Sequence, residues 1–364
     1  MFKFTHLFGL ILFLLITPVF VSAVEVNPQD YGAVVDDGID DSSAVQAAIN
    51  AVLEKGGGKI LFPGGTLNIN KPISIQPNYS GGQMILKGNR GSVLEVSVGQ
   101  ENTAIYAGNL NMLLFEDLAI VGKKVPMGAV DFFDAKYVIY SNYVGQTTIT
   151  RCQLLGLAVP NKSAIVYLGI TDAHVSDSQF DGNLAMYETG AVILAENTMG
   201  LTVSRSSFID YSNFKGEYLS KTPGFVGAWI MVKGGAPMNA LGQRRILIED
   251  SRFDEGAATI IWAENVAWVN VVGISANING TGVGRGIYLK NVDYANIRQS
   301  WFGYTNAARP ALDFENVGGS EVTSLKFGGG VYFLKQFGSI KVSINYCPQC
   351  VAQPLLPGTL QKRK

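Results

Sequence analysis

The stretch VSDSQF, Val175 to Phe180, decides the fold because it keeps returning. It reappears as VSRSSF at Val203 to Phe208, IEDSRF at Ile248 to Phe253 and IRQSWF at Ile297 to Phe302. ITRCQL, Ile149 to Leu154, is the same frame with Cys152 in the serine slot. Val269 to Ile274 and Val322 to Phe327 fit with substitutions, and Phe115 to Ile120 fits more weakly. From Leu154 to Phe327, successive frames end 26, 28, 45, 21, 28 and 25 residues apart. Self-similarity at such a period is the sequence mark of a stacked repeat architecture.

A second frame lies upstream in the same units. Ile193 leads to Glu196-Asn197, Ile261 to Glu264-Asn265, Ile287 to Lys290-Asn291 and Leu312 to Glu315-Asn316. Asn tolerates left-handed backbone angles, so it suits a tight bend. Ser and Phe of the first frame share one side of a strand, whereas the aliphatic five residues before Phe is out of phase with them. A single strand keeps a period of two, so the phase break marks a corner. Each unit therefore reads as strand, Asn bend, strand, corner, strand. No such unit buries its apolar face alone, which demands stacking. The expected fold is all-β: one single-stranded, right-handed parallel β-helix over residues 24–346. Cys152 falls in an inward column of small residues and is expected to be a buried thiol rather than a nucleophile. The 45-residue interval holds an insertion, with Tyr211 to Gly224 and Pro237 to Gln243 as its loops.

The totals bound the rest. Lys3, the apolar run Leu7 to Ile16 and Val21-Ser22-Ala23 form a secretory signal over residues 1–23, with cleavage after Ala23. A membrane anchor is the rival reading, but the run is short for a bilayer span and Pro18 follows it. Export implies a secreted, periplasmic or extracellular location; Asn78, Asn161 and Asn279 lie in glycosylation sequons that matter only in a eukaryotic host. The net charge of −1, with 16% charged residues, gives no electrostatic reason to expect nucleic acid or an anionic membrane as partner. Two histidines, one of them His6 in the signal, leave little for His-based catalysis. Cys347 and Cys350 form a CxxC in the tail, residues 347–364; a local disulfide is the plain reading, a redox pair or half a zinc site the sharper ones.

Before the repeats runs DYGAVVDDGIDDSSAVQAAINAVLEKGGGKILFPGGTLNI, Asp30 to Ile69. Val45, Ala48, Ile49, Val52 and Leu53 recur at helical spacing, predicting a helix over about 41–55 that caps the open end of the solenoid. Asp40 or Asp41 can cap its start, and Gly56-Gly57-Gly58 can end it. Asp36, Asp37, Asp40 and Asp41 can also be read as a calcium cluster, although turn and capping roles account for them. No other cofactor is expected.

The residues Asp30-Tyr31-Gly32-Ala33, Asp37-Gly38, Asp40-Asp41, Ala44 to Asn50 and Phe62-Pro63-Gly64-Gly65-Thr66 resemble the opening signature of the pectate-lyase-like superfamily, in its rhamnogalacturonase, epimerase and tailspike-related group. The resemblance implies a carbohydrate-active protein with a polysaccharide partner, on a scaffold that hosts several chemistries. The Asn-Thr-Asp, Asp-Asp, Gly-His-Gly and Arg-Ile-Lys motifs of related polygalacturonases are absent. The aligned outward positions Ala191, Ala228, Thr259, Arg285 and Pro310 offer no carboxylate.

The same face offers another constellation. Trp262, Tyr288 and Asp313 stand outward beside the aliphatic column, and Glu264, Lys290 and Glu315 follow. With coils about 4.8 Å apart, Trp262 and Tyr288 are expected to form a flat ledge for a sugar ring, with Arg285 and Lys290 as further substrate contacts. Glu264 and Glu315 would lie roughly 9–10 Å apart, near the upper spacing for inverting carboxylates; Asp313 is the third catalytic candidate. The plainer reading is a cross-strand charge ladder, with the aromatics covered by the inserted loop. Asp254 and Glu255 are the reserve pair, at a corner whose plainer reading is a solvated turn. Two function classes remain: an enzyme cleaving a polysaccharide by hydrolysis or lyase β-elimination, with a uronate-containing substrate one option, or a non-catalytic carbohydrate-binding or cell-surface structural β-helix.

Overall fold

The computed structural model describes residues 24–343 except 79–80, 123–133, 157–163, 182–189, 210–227, 235–244, 255–258, 278–284, 304–310, 328–333 and 336–338. The signal segment, the CxxC tail, the two loops of the insertion, Glu255 and Pro310 lie outside the described residues. What is described is all-β apart from the helix Ser42–Glu54 and a single 3-10 turn at Pro28–Tyr31. Every named strand pairing is parallel, and each strand pairs with its equivalent one repeat further on. Ala164–Leu168, Ala191–Glu196, Ala228–Lys233 and Thr259–Val272 follow one another in this way, then Ile287–Arg298 and Leu312–Thr323. The long interval is thus one coil: Ala228–Lys233, Arg245–Glu249 and Arg252–Asp254 fill its three strand positions.

Both turning points, the Asn bend and the corner expected from parity, are present. Asn197, Asn265, Asn291 and Asn316 all have φ between 51° and 56°. Their preceding residues pair in the order Glu196, Lys233, Glu264, Lys290, Glu315, so the asparagines are in register, with Gly234 filling the insertion coil's place. A Cβ at Gly234 would meet the Asn265 carbonyl oxygen, hence the glycine. The Asn291 amide donates to Asn265 at 2.9 Å, and that of Asn316 donates to Asn291 at 2.8 Å. The second corner falls one residue before the serine slot. Asp117, Arg151, Asp177, Arg205 and Asp250 occupy it with φ from 45° to 56° and alternate in sign. Arg151 Nε is 2.6 Å from Asp117, and Arg205 Nε is 2.7 Å from Asp177.

The interior follows from these columns. Phe180, Phe208 and Phe253 stack with ring centroids 4.8 Å apart. Ser178, Ser206 and Ser251 are buried, and each hydroxyl donates to the carbonyl two residues back. Each also accepts a backbone N–H from the preceding coil, donated by Cys152, Ser178 and Ser206 in turn. A polar column is thereby tolerated inside an apolar core, since every hydroxyl is satisfied. Cys152 is buried in the same column, and burial pushes its thiol up to about 12.

One frame is corrected. Ile248 pairs with Val271, not Val269, and Phe253 pairs with Ala276, which pairs with Phe302. The unit is therefore Val271 to Ala276, with Ile274 in the serine slot and Gly273 at the corner (φ 69°). Ile274 is the larger apolar residue and draws the alignment two places early.

The helix Ser42–Glu54 buries Val45, Ala48, Ile49, Val52 and Leu53. It packs on Val24–Val26, Gly57–Phe62 and Ile73–Ile75. The Asp41 carboxylate does not cap it; Asp41 is buried and accepts the N–H groups of Val34 and Asn68 instead. Asp40 accepts the Ser42 N–H. Asp36 accepts from Thr66, tying the Phe62-Pro63-Gly64-Gly65-Thr66 turn to the Asp36 loop, and Asp37 accepts from Ile39. The four aspartates are thus engaged in turns. Among the described residues no group of three His, Cys, Asp or Glu side chains is placed to hold a metal ion.

Candidate functional site

The outward side of the first strand of each coil carries two columns. The first runs Tyr106, Tyr140, Tyr167, Leu194, Met231, Trp262, Tyr288, Asp313. The second, two residues on, runs Glu196, Lys233, Glu264, Lys290, Glu315. Small residues precede them: Ala164, Ala191 and Ala228 pair in register and lead to Thr259. These alanines form a buried cluster with Leu194 and Met231, against which Tyr137, Tyr167 and Trp262 pack.

The site residues meet at the Tyr288 coil. Arg285 Nη1 lies 2.9 Å from Asp313 Oδ2, and the guanidinium sits over the Tyr288 ring, 4.5 Å from its centroid. The Tyr288 hydroxyl donates to Glu315 Oε2 at 2.8 Å. Tyr288 is 6% exposed; burial, then the bond to Glu315, pushes its phenol up to about 12. Lys290 Nζ is 3.3 Å from Glu264. Arg285, Tyr288, Asp313 and Glu315 therefore form one connected network, with Lys290 and Glu264 as a neighbouring pair.

The expected ledge is not flat. Trp262 and Tyr288 meet edge to face, with centroids 4.6 Å apart and planes at 69°. That geometry satisfies the ring quadrupoles, but it gives a sugar no shared surface. Trp262 is half-buried against the apolar cluster, and its indole Nε1 has no partner. Glu264 and Glu315 stand in one column with Lys290 between them, not across a cleft. Asp254 belongs to the sheet of the third strands and pairs with Arg252 two residues before it, away from the Tyr288 network.

The earlier coils hold a tyrosine group that the sequence reading missed. Tyr106 and Tyr140 stack at 5.3 Å and 14°, and Tyr140 and Tyr167 at 4.3 Å and 5°. The Tyr167 hydroxyl donates to Glu196 at 3.2 Å; burial and the Glu196 charge raise its pKa. The signal was available as tyrosines one coil apart: Asn109 already stands at the left-handed bend three residues after Tyr106 (φ 58°), with Tyr143 in its place one coil on (φ 56°).

With this geometry established, the chain can be set beside known proteins. No protein-family model matches it. It is 28% identical over 207 residues to alginate lyase 7 of Azotobacter vinelandii, covering 51% of this chain and 23% of that protein. It is 26% identical over 207 residues to a mannuronan C5-epimerase of the same organism, covering 51% of this chain and 11% of that protein. The chain thus spans under a quarter of the length of either. Among solved structures it is similar to tailspike protein 3 of bacteriophage CBA120, with a TM-score of 0.56 and 15% identity over 93% of this chain and 54% of that one. At that identity the likeness is one of fold.

Proposed function

We propose that the chain is a secreted polysaccharide-active protein whose reaction centre is the outward network Arg285, Tyr288, Asp313 and Glu315, with Lys290 and Glu264 beside it. The scaffold in this reading is one right-handed parallel β-helix over residues 24–346, closed at its first end by the helix Ser42–Glu54. Crossovers between parallel strands are right-handed in about 98% of cases, and the helix packs on the strands of the first coil. Export by the Met1 to Ala23 leader belongs to the same reading. Among the described residues no helix is long and apolar enough to cross a membrane.

The observation that carries the mechanism is the 2.8 Å bond between the Tyr288 hydroxyl and Glu315, next to a guanidinium. Each candidate carboxylate already accepts from a donor: Asp313 from Arg285, Glu315 from Tyr288, Glu264 from Lys290. None occupies the apolar, unpaired setting that suits a protonated general acid in a glycosidase. The arrangement suits β-elimination on a uronate better. Arg285 pairs with the uronate carboxylate and offsets charge as the C5 proton leaves. Glu315 takes that proton, and Tyr288 gives its own to the departing glycosidic oxygen. The C5–H and C4–O bonds break, and the C4–C5 double bond forms. Alginate lysis and mannuronan C5 epimerisation, the activities named for the two relatives, both call for a proton removed beside a carboxylate.

A second reading, a non-catalytic carbohydrate-binding or surface structural β-helix, draws on the alternation Glu196, Lys233, Glu264, Lys290, Glu315 along one column. Such a ladder stabilises a sheet without chemistry. Incubation with alginate, polygalacturonate, carrageenan and neutral glucans separates the two. Ultraviolet absorbance of unsaturated uronates from a polyuronate is the expected result; binding without any product would favour the second reading.

A further inference from the structure

Beyond the Asn bend, the next sheet face carries an aromatic pair outside the Tyr288 network. Successive coils place Arg245, Trp268, Tyr294 and Gly319 in one column. Trp268 is 60% exposed and Tyr294 36%, with ring centroids 5.8 Å apart and planes at 50°. Burying a large apolar side chain is favourable; Trp268 forgoes most of that and Tyr294 part of it. Gly319 keeps the next coil from covering the pair: a Cβ there would meet the Tyr294 ring at 3.3 Å.

A second observation lies on the same side of the strand. Asn270, two residues after Trp268, buries its side-chain oxygen without a hydrogen-bond partner. Its neighbour one coil on is Asn296. A buried acceptor without a donor is unfavourable, and an outward turn of the Asn270 amide would bring that oxygen to a ligand hydroxyl beside the rings. Exposed Arg245 and Asp293 stand next to the pair. Two rings with a charged rim are too little for a stable protein interface, which needs about 1,000 Å². They suit a ligand that presents C–H faces and hydroxyls together.

We propose that this face is a second carbohydrate-binding surface. Trp268 and Tyr294 lie against the C–H faces of pyranose rings, the Asn270 amide turns outward to accept from a sugar hydroxyl, and Arg245 pairs with a uronate carboxylate. A polymer held here and at the Tyr288 network gains affinity through effective concentration. The inference rests on the polysaccharide reading for its ligand class and is independent of the elimination chemistry.

Affinity electrophoresis of the full chain through gels cast with alginate, with dextran gels as the neutral comparison, tests it. Trp268→Ala and Tyr294→Ala should each weaken retardation by alginate about tenfold, while Trp268→Phe keeps most of it. Arg245→Gln, which leaves the rings in place, should weaken alginate retardation and leave dextran mobility unchanged. Circular dichroism checks folding. Wild-type retardation in both alanine variants and in Arg245→Gln would overturn this surface and leave the reaction centre standing. A changed sedimentation coefficient with unchanged retardation would overturn it in favour of self-association. A wild-type chain that no gel retards would overturn it too, and if no product forms either, the polysaccharide reading falls with it.

Discussion

A buried polar atom in this molecule is tolerated when the stack itself supplies its partner. Ser206 shows the rule: its hydroxyl donates to Ser204 O at 2.9 Å and accepts the Ser178 N–H at 3.3 Å. Ser206→Val should lower urea stability by about 1–3 kcal/mol, because the Ser178 N–H loses its acceptor. Cys152→Ser should stay within about 1 kcal/mol of wild type, since serine fills that slot in later coils. A large loss in the cysteine variant would contradict the shared column. Tyr288 is the titrating residue of interest. Its phenol is pushed up to about 12, so the protonated form is favoured in the folded state. The associated stability is present below the unfolded value of about 10 and is lost as pH rises through about 12. Ultraviolet difference titration should find one phenol in wild type, missing in Tyr288→Phe, that ionises near pH 12. The serine column was legible from the sequence because identical residues recur. The Tyr288 network was only half legible: register put Tyr288, Asp313 and Glu315 together, but the tilt of Trp262 depends on the apolar cluster beneath it.

Elements here end where a residue can take a left-handed angle, and this explains which boundaries the sequence revealed. Asn197, Asn265, Asn291 and Asn316 announce the first bend by their identity. The second corner alternates Asp117, Arg151, Asp177, Arg205 and Asp250 and later takes Gln299, so no single residue type marks it as Asn marks the first, and the phase change betrays it. The same diversity hid the frame of Val271 to Ala276, where Gly273 marked the corner. The helix start was legible in type but not in detail: of the two candidates Asp40 and Asp41, it is Asp40 that accepts the Ser42 N–H, while Asp41 ties down Val34 and Asn68. Burial alone would raise the Asp40 carboxyl, but hydrogen bonds from the Ser42 hydroxyl, Lys71 and the N–H groups of Ser42 and Asn70 hold it at about 2. Its stabilising effect is present above the unfolded value near 3.9 and is lost as pH falls through about 2. Asp40→Asn should therefore cost on the order of 1 kcal/mol at pH 7, discounted for solvent screening. The difference from wild type should vanish near pH 2. A difference that persists there, read by thermal melts across pH, would show that Asp40 acts through shape rather than charge.

At the scale of the whole molecule, the stack turns sequence period into surface columns, so a site is assembled from residues a coil apart that are distant in sequence. Arg285, Tyr288, Asp313 and Glu315 come from two successive coils, and Trp268 and Tyr294 from two coils across the Asn bend. The period was readable because stacking demands it; the reaction was not, because outward positions are free of the packing constraint that makes inward residues repeat. The central claim is that the Tyr288 network performs the chemistry, with the phenol as proton donor and Glu315 as base. It is tested most directly by the initial rate at which Tyr288→Phe, with native circular dichroism, forms unsaturated uronate from a saturating polyuronate that wild type cleaves. The account predicts a rate lower by at least about 100-fold, the scale of general acid–base catalysis; a rate close to wild type would contradict it.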